Sequence, residues 1–372
     1  MNCGAFRLKT SDVNCPVQIR LYIAALVFLF FANGSSVFCQ HKIDSAQHRS
    51  KTRDSVYITR FDTLLHLQSW ISAHQLEYKL VYSKDFKLLL SPQQINNLSF
   101  GFSYRYLDLG LSFSPDFLNT GQDKAEKGKS EQFSFGTGFS IHRFKLNVDL
   151  SSVKGFYLKN SKDFLKAAVL PDTPYLVFPD LRVGYFSVMV RYNPNKNFST
   201  AALAGGTQIQ RRSTWTVLPA FQFATYNFHN DATSQGVQNE STRSTDLNLL
   251  LPVVGTHVYS RKFSASLGAG PSFGVDFFKS VSLNDSNKVV VSKGTKATTG
   301  YSLQISLNYH TERFFAGFEF KFRNYGHKIE DISRLIKQYS YFQLFIGWRL
   351  RAPGFAKKSL DWVNKKSPIA FD

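Results

Sequence analysis

The sequence predicts an all-β protein: an antiparallel transmembrane β-barrel of about 12 strands, or about 14 as the alternative, with a short helical leader and tail. Three observations predict it. Apolar residues alternate with small polar ones over most of the chain. Aromatic residues reach 15%, with 36 Phe and 17 Tyr in 372 residues, a composition that suits pleated, half-buried surfaces. Finally, an export signal precedes a chain that holds no long apolar helix.

The export signal comes first. Arg7, Lys9 and Arg20 precede the apolar run "LYIAALVFLFFA" (21–32), and "NGSSVFCQ" follows, with Val37 and Cys39 at the −3 and −1 places before Gln40. That order predicts a secretory signal peptide over residues 1–39, its apolar run being too short to span a bilayer as a helix. Lipidation at Cys39 is the alternative, disfavoured by the bulk of Phe38 next to it. All 3 cysteines lie within this segment, so the mature chain folds without disulfides. The formal charge is +19, and removing three basic residues and Asp12 with the signal leaves +17. Lys and Arg are spread along the chain rather than gathered in a stripe, which argues against nucleic acid as a partner. No other run is apolar enough for a membrane helix, so an exported chain that enters a membrane must do so as a barrel.

After the signal, residues 40–60 are polar and read as a flexible leader. In "FDTLLHLQSWISAHQ" (61–75), Phe61, Leu64, Leu65, Gln68 and Ile71 stand at helical spacing behind Asp62 as a cap. The expectation is therefore a periplasmic leader over 40–76 with one short helix, a barrel over 77–351 and a periplasmic tail over 352–372.

From residue 77 the period is two. In "INNLSFGFSYRYLDLGLSF" (95–113), apolar residues from Leu98 to Tyr106 alternate with Ser99, Gly101, Ser103 and Arg105. Phe133, Phe135, Phe139 and Ile141 alternate with Ser134, Gly136, Gly138 and Ser140; after His142-Arg143 the phase shifts. The pattern returns from Phe263 to Phe277, from Tyr301 to Tyr309 and from Phe314 to Phe322. Successive side chains of a strand point to opposite faces, so each segment has an aromatic face and a small polar face. A soluble sandwich would carry Lys, Glu and Thr on the face that meets water. Ser, Gly, Asn and Gln suit the crowded inside of a barrel whose outside meets lipid, with rings at the two interfaces.

The connections agree. Tight turns are expected around Pro194, at Ser260-Arg261 and over 310–313, while 119–131, 158–180, 229–246, 280–295 and 326–337 read as long polar loops. Short turns at one end and long loops at the other are the habit of transmembrane barrels. About thirteen segments qualify as strands, an odd number, and the alternation of turns and loops breaks between 193 and 229, where Pro219 also removes a ladder donor. One segment there is expected to be split or not to cross. "YFQLFIGWRL" (341–350) is the closing strand. In the tail, Leu360, Trp362 and Val363 stand among Lys357, Lys358, Lys365 and Lys366, as in a short helix at an anionic surface or a solvated tail.

Chemistry is sparse. None of the 9 His forms H-x-H or H-E-x-x-H, and His66 and His74 have no carboxylate between them at ligand spacing. "GAGPSFG" (268–274) and "LAGGTQ" (203–208) do not lead from a strand into a helix, so neither reads as a phosphate loop. Ser264, Ser266 and Ser272 fall on the lumen face beside a strand bearing His257, but His257 shares its register with Leu249, Leu251 and Val253 and faces lipid. No catalytic residue, cofactor or metal is expected. The lumen-facing charges carry more: Arg105, Lys145, Asp149, Arg191, Asp276, Glu319, Lys321, Arg323 and Arg349. They either tune ion passage or pair across a narrow lumen and plug it.

The segments "INNLSFGFSYRYLDLGLSF", "VDLSSVKGFYLKN" (148–160), "NPNKNFSTAAL" (193–203) with "RRSTW", and "GWRLRAP" (347–353) resemble a family of uncharacterised outer-membrane proteins of Bacteroidetes-type bacteria, the domain-of-unknown-function family DUF4421. The resemblance covers roughly 78–365. It implies an exported outer-membrane barrel and no assigned activity. The expected function is thus a non-enzymatic pore or structural envelope protein, with a lipid-modifying enzyme or a loop-borne binding protein as rivals. The expected partners are outer-membrane lipid and lipopolysaccharide outside, and small solutes within.

Overall fold

The computed structural model describes residues 56–81, 87–93, 95–120, 124–163, 175–230, 241–283, 289–329 and 333–366. The signal segment 1–39 and residues 40–55 lie outside the described residues.

Seventeen strands occur among them: β1 (Ile58–Arg60), β2 (Leu64–Val81), β3 (Lys87–Ser91), β4 (Ile95–Tyr104), β5 (Leu107–Phe113), β6 (Glu131–Ile141), β7 (Phe144–Leu158), β8 (Leu176–Tyr192), β9 (Gln208–Gln210), β10 (Thr214–Val217), β11 (Ala220–Asn230), β12 (Ser241–Leu250), β13 (Val253–Val258), β14 (Phe263–Leu283), β15 (Val289–His310), β16 (Phe314–Ile329) and β17 (Ser333–Arg351). Twelve of them form a ring in the order β2-β4-β5-β6-β7-β8-β11-β12-β14-β15-β16-β17, all antiparallel. The ring closes where β17 pairs with β2, from Arg334↔Val81 to Arg351↔Leu64. A helix, Gly354–Lys366, follows the last strand.

The two faces divide as the alternation requires. On β4, Phe100 and Phe102 are 50% and 38% exposed on the outside, whereas Ser99, next to Phe100 and paired in register with Ser112 of β5, is wholly buried. Ser99 Oγ lies 2.5 Å from Ser112 Oγ on β5. The glycines of this wall have a packing reason: a Cβ on Gly101 would come within 2.9 Å of the Trp70 ring, and one on Gly110 within 3.2 Å. The small face thus makes room for an inward-pointing indole on β2. At the rim of short turns, Phe263, Tyr309, Phe314 and Trp348 form a chain of ring contacts around the outside, with centroids 4.9, 6.3 and 5.7 Å apart. Such a girdle is what an interfacial belt needs.

The expected helix over 61–75 is not formed; the segment is strand β2, and the barrel wall begins at Leu64. Leu67 and Ile71 are exposed outward while His66 and Ser72 are buried. Apolar residues four apart fit one face of a helix turn and one face of a strand alike, so local spacing cannot separate the two. The ladder partners decide, and β17 supplies them from the far end of the chain.

The connections also need correction. Most of 280–295 and 326–337, and the ends of 158–180 and 229–246, are strand rather than loop. Beyond the hydrocarbon both faces of a sheet meet water, so alternation fades while the backbone ladder continues. The turn expected around Pro194 is instead the start of an insert: after β8 the chain runs through a short 3-10 turn (Ala201–Ala204) and β9 before returning as β10. The expectation of a broken segment between 193 and 229 holds. Strand β10 pairs with β13, β11 pairs with β12, and Pro219 and Pro252 stand at the two breaks.

If the outer face meets lipid, Leu267→Arg, at a position 60% exposed on the outside of β14, should cost about 2–4 kcal/mol near the bilayer midplane. Urea unfolding in lipid vesicles measures this; an unchanged midpoint would contradict the orientation.

Candidate functional site

The interior has three levels, and the sequence-predicted charges are distributed among them.

At the level where the strands lengthen, opposite walls meet. Tyr78 on β2 contacts Phe228 on β11, half-way round the ring, with ring centroids 4.8 Å apart. Tyr78 belongs to a buried apolar cluster with Ile95, Val153, Phe156 and Val183. Lys337, paired in register with Tyr78, reaches across the lumen. Its Nζ donates to both carboxylate oxygens of Asp246 at 2.9 Å and to Ser244 Oγ at 2.7 Å, and lies 3.5 Å from Asp276 Oδ2. Ser244 in turn donates to Asp276 Oδ1 at 2.7 Å, and Lys337 sits 4.5 Å from the centre of the Tyr226 ring. Asp276 is thus in the lumen as predicted, held in a buried cluster of one ammonium and two carboxylates.

At the short-turn end the insert after β8 enters the barrel mouth as a stopper. Its β9 pairs with β1 of the leader, from Ile58↔Gln210 to Arg60↔Gln208. Gln210 Nε2 donates to the carbonyls of Asn197 and Arg212 at 2.8 and 3.1 Å. Phe198 and Leu203 pack with Leu218 and Val254. Gly205 ends the 3-10 turn at φ 72, a left-handed conformation that suits glycine, and a Cβ there would collide with the rings of Phe345 and Phe315. Arg349, predicted as a lumen charge, clamps this stopper. It donates to Thr311 O at 2.7 Å and Gly206 O at 3.3 Å, and it stacks over Phe61 and Phe315 at 4.5 and 4.8 Å. Arg105 stands at the same end, in the tight β4–β5 turn, where it pairs with Asp361 of the C-terminal helix at 2.7 Å. Partial burial opposes its charge, but hydrogen bonding to the Asp361 carboxylate raises its pKa overall.

Between the two closures remains a chamber of about 790 Å³. One wall carries the glycines Gly101, Gly110, Gly136 and Gly138; the facing side carries Glu319, Lys321, Arg323 and Tyr341. Lys145 pairs with Asp108 at 2.9 Å, and Lys321 with Glu319 at 2.7 Å. Gln304 and Gln343 donate to the two oxygens of Glu319 at 3.0 and 2.9 Å. Asp149 and Arg191 project from β7 and β8 into the same space. The structure therefore brings Asp149, Arg191, Glu319, Lys321 and Arg323 together, with Arg105 lining the same space from its turn, and places Asp276 and Arg349 elsewhere.

Sequence reasoning missed Lys337 and Asp246, because they fall within stretches read as polar loop. It also missed Phe315 and Phe345, aromatic residues on the lumen side. The signal for the first was available: "RFFAG" has two adjacent Phe, one of which must face inward. His257 lies on the exposed side near Ser213, with Nδ1–Oγ 3.4 Å, and its register partner is Ala265, not a serine. Ser264, Ser266 and Ser272 are buried on the opposite face. His66 Nε2 bonds to Phe61 O at 3.2 Å, and His74 Nε2 to Ser72 Oγ at 3.1 Å.

A closed antiparallel ring with an apolar outside, a polar inside and an aromatic rim describes an outer-membrane barrel. The model of a family described as a domain of unknown function (DUF4421) matches residues 52–350. The chain belongs to that family. No curated protein matches it. Among solved structures, this DUF4421 chain is similar to the outer membrane protease OmpT of Escherichia coli, at 6% identity and TM-score 0.35, covering 81% of this chain and 100% of that one. It is also similar to the toluene transporter TodX of Pseudomonas putida, at 6% identity and TM-score 0.29, covering 78% and 90%. OmpT of Vibrio cholerae gives 6% identity and TM-score 0.28, covering 80% and 98%. At such values no activity passes from these proteins to the DUF4421 chain.

Two variants test the closures. Lys337→Met leaves two buried carboxylates facing each other and should destabilise the barrel by about 3–5 kcal/mol, with most of the loss recovered when Asp246→Asn and Asp276→Asn are added. Gly205→Val forces a β-branched residue into left-handed backbone and should cost about 1–3 kcal/mol. Urea midpoints of the refolded barrel report both.

Proposed function

We propose that this chain is a sealed, non-enzymatic barrel of the outer membrane that serves as a structural envelope protein rather than an open diffusion pore. The observation that carries the proposal is the contact of Tyr78 with Phe228 across the ring. Twelve strands lie between the side-chain-filled eight-stranded barrels and the water-filled porins. Here aromatic packing and the Lys337 cluster fill one level, and the insert with Gly205 seats against Phe315 and Phe345 at another. Lumen charges that serve a pore should line an unbroken path. Arg349 and Asp276 are instead consumed by the two closures.

The non-enzymatic part of the reading is supported by the separation of groups. His257 meets Ser213 on an exposed rim, while the buried serines of β14 face the other way. The turns support an orientation in which the short-turn end, with β1 and the helix Gly354–Lys366, faces the periplasm and the long strand ends face outward.

Planar-bilayer recording of the purified full-length mature chain tests this. Insertion without stepwise openings is expected; stepwise, voltage-stable conductance would overturn the sealed barrel and restore the pore.

A further inference from the structure

The chamber holds charges that the two closures do not use. Lys145 and Lys321 have their carboxylates at 2.9 and 2.7 Å. Arg191 and Arg323 do not: neither is in an ion pair with a described residue. The one side-chain hydrogen bond of Arg191 is to Met189 Sδ at 3.7 Å, a weak acceptor for a group with five N–H donors. Arg323 bonds to the Tyr325 phenol and feels those of Tyr185 and Tyr339; the carboxylates that act on the two arginines without pairing with them are Asp149 on Arg323 and Glu319 on Arg191. The two guanidiniums come from β8 and β16, on opposite walls, and act on each other as like charges across the chamber.

Both arginines are half-buried and face the chamber, and two like charges facing one enclosed space repel unless an anion lies between them. The chamber also has room. The glycine wall leaves about 790 Å³ open, within the range of small-molecule sites, and Trp70 and Tyr341 offer apolar surface beside the charges. An approach exists from the short-turn end, where Arg60, Arg143 and Lys196 line the same space and Arg143 and Lys196 are exposed. Cations at a mouth raise the local concentration of anions.

We infer that the chamber is a binding site for a small organic anion, whose carboxylate or phosphate group is held between Arg191 and Arg323 and whose body packs against Trp70 and Tyr341. The planar fork of each guanidinium matches two oxygens of such a group. Asp149, accessible to the chamber space and pressed against Gly136, limits the net charge that can be accommodated and favours a single anionic head over a polyanion. The inference goes beyond the sealed-barrel reading and does not depend on it, since an open barrel would keep the same two arginines.

Calorimetric titration of the full-length mature chain in detergent, with inorganic phosphate and with benzoate as probes, tests it. Saturable binding of at least one probe is expected, weakened tenfold or more in both Arg191→Gln and Arg323→Gln and unchanged in Lys262→Gln, an exposed turn residue away from the chamber. Arg191→Lys, which keeps the charge and loses the fork, guards against a folding defect; heat-modifiable mobility on gels shows that each variant is folded, and an intermediate weakening is expected. No binding of either probe, or binding undiminished in the folded arginine variants, would overturn the inference. Binding together with channel openings would overturn the sealed barrel and leave the site standing; neither binding nor openings would do the reverse.

Discussion

The pairing of β17 with β2 is the constraint on which the rest depends. In hydrocarbon an unpaired backbone N–H or C=O has no water to turn to, so a sheet must close on itself or stay out of the membrane. The ladder from Arg334↔Val81 to Arg351↔Leu64 removes both edges at once. It joins the first and last wall strands, so the ring is complete only when every ring strand from β2 to β17 is present. It also explains why β2 is a strand despite helix-compatible spacing: without it β4 and β17 would both end in an open edge.

Closure leaves the interior to be filled. Lipid outside is as apolar as Leu or Phe, so the outward faces set orientation more than they stabilise the fold. The stabilising contacts lie inside and use two different chemistries. At one level aromatic rings and a single lysine with two carboxylates join opposite walls. At the other a polypeptide insert is held by β1, by Arg349 and by close packing of Gly205 on Phe315 and Phe345. The first is strong only when every member is present, because a lone buried charge is worse than none. The second depends on shape and on one residue in left-handed backbone.

The chamber between these levels is a product of small residues. Glycine and serine on β4, β5 and β6 give up side-chain volume, and charged residues from β7, β8 and β16 face the space so created. Trp70 takes part of that volume; the remainder is bounded at the short-turn end by the insert, beside which Arg143 and Lys196 line it. Closure and the open chamber thus lie at different heights of one barrel.

The sequence by itself determined the class of this protein. Alternation of aromatic with small polar residues is a local property of each strand, and it is legible because a lipid-facing and a lumen-facing position differ in every second residue. A barrel of about 12 strands, with 14 as the alternative, and the lumen register of residues such as Arg191 and Arg323 were read from it, while the C-terminal helix was one of two readings of the tail. What the tertiary structure decided is every relation across the ring. That Tyr78 meets Phe228, that Lys337 finds Asp246, and that residues 193–213 turn inward rather than cross the membrane are contacts between segments far apart in the chain. Each of these residues is locally compatible with either a wall or a loop, and only the closed ring brings them into reach of one another.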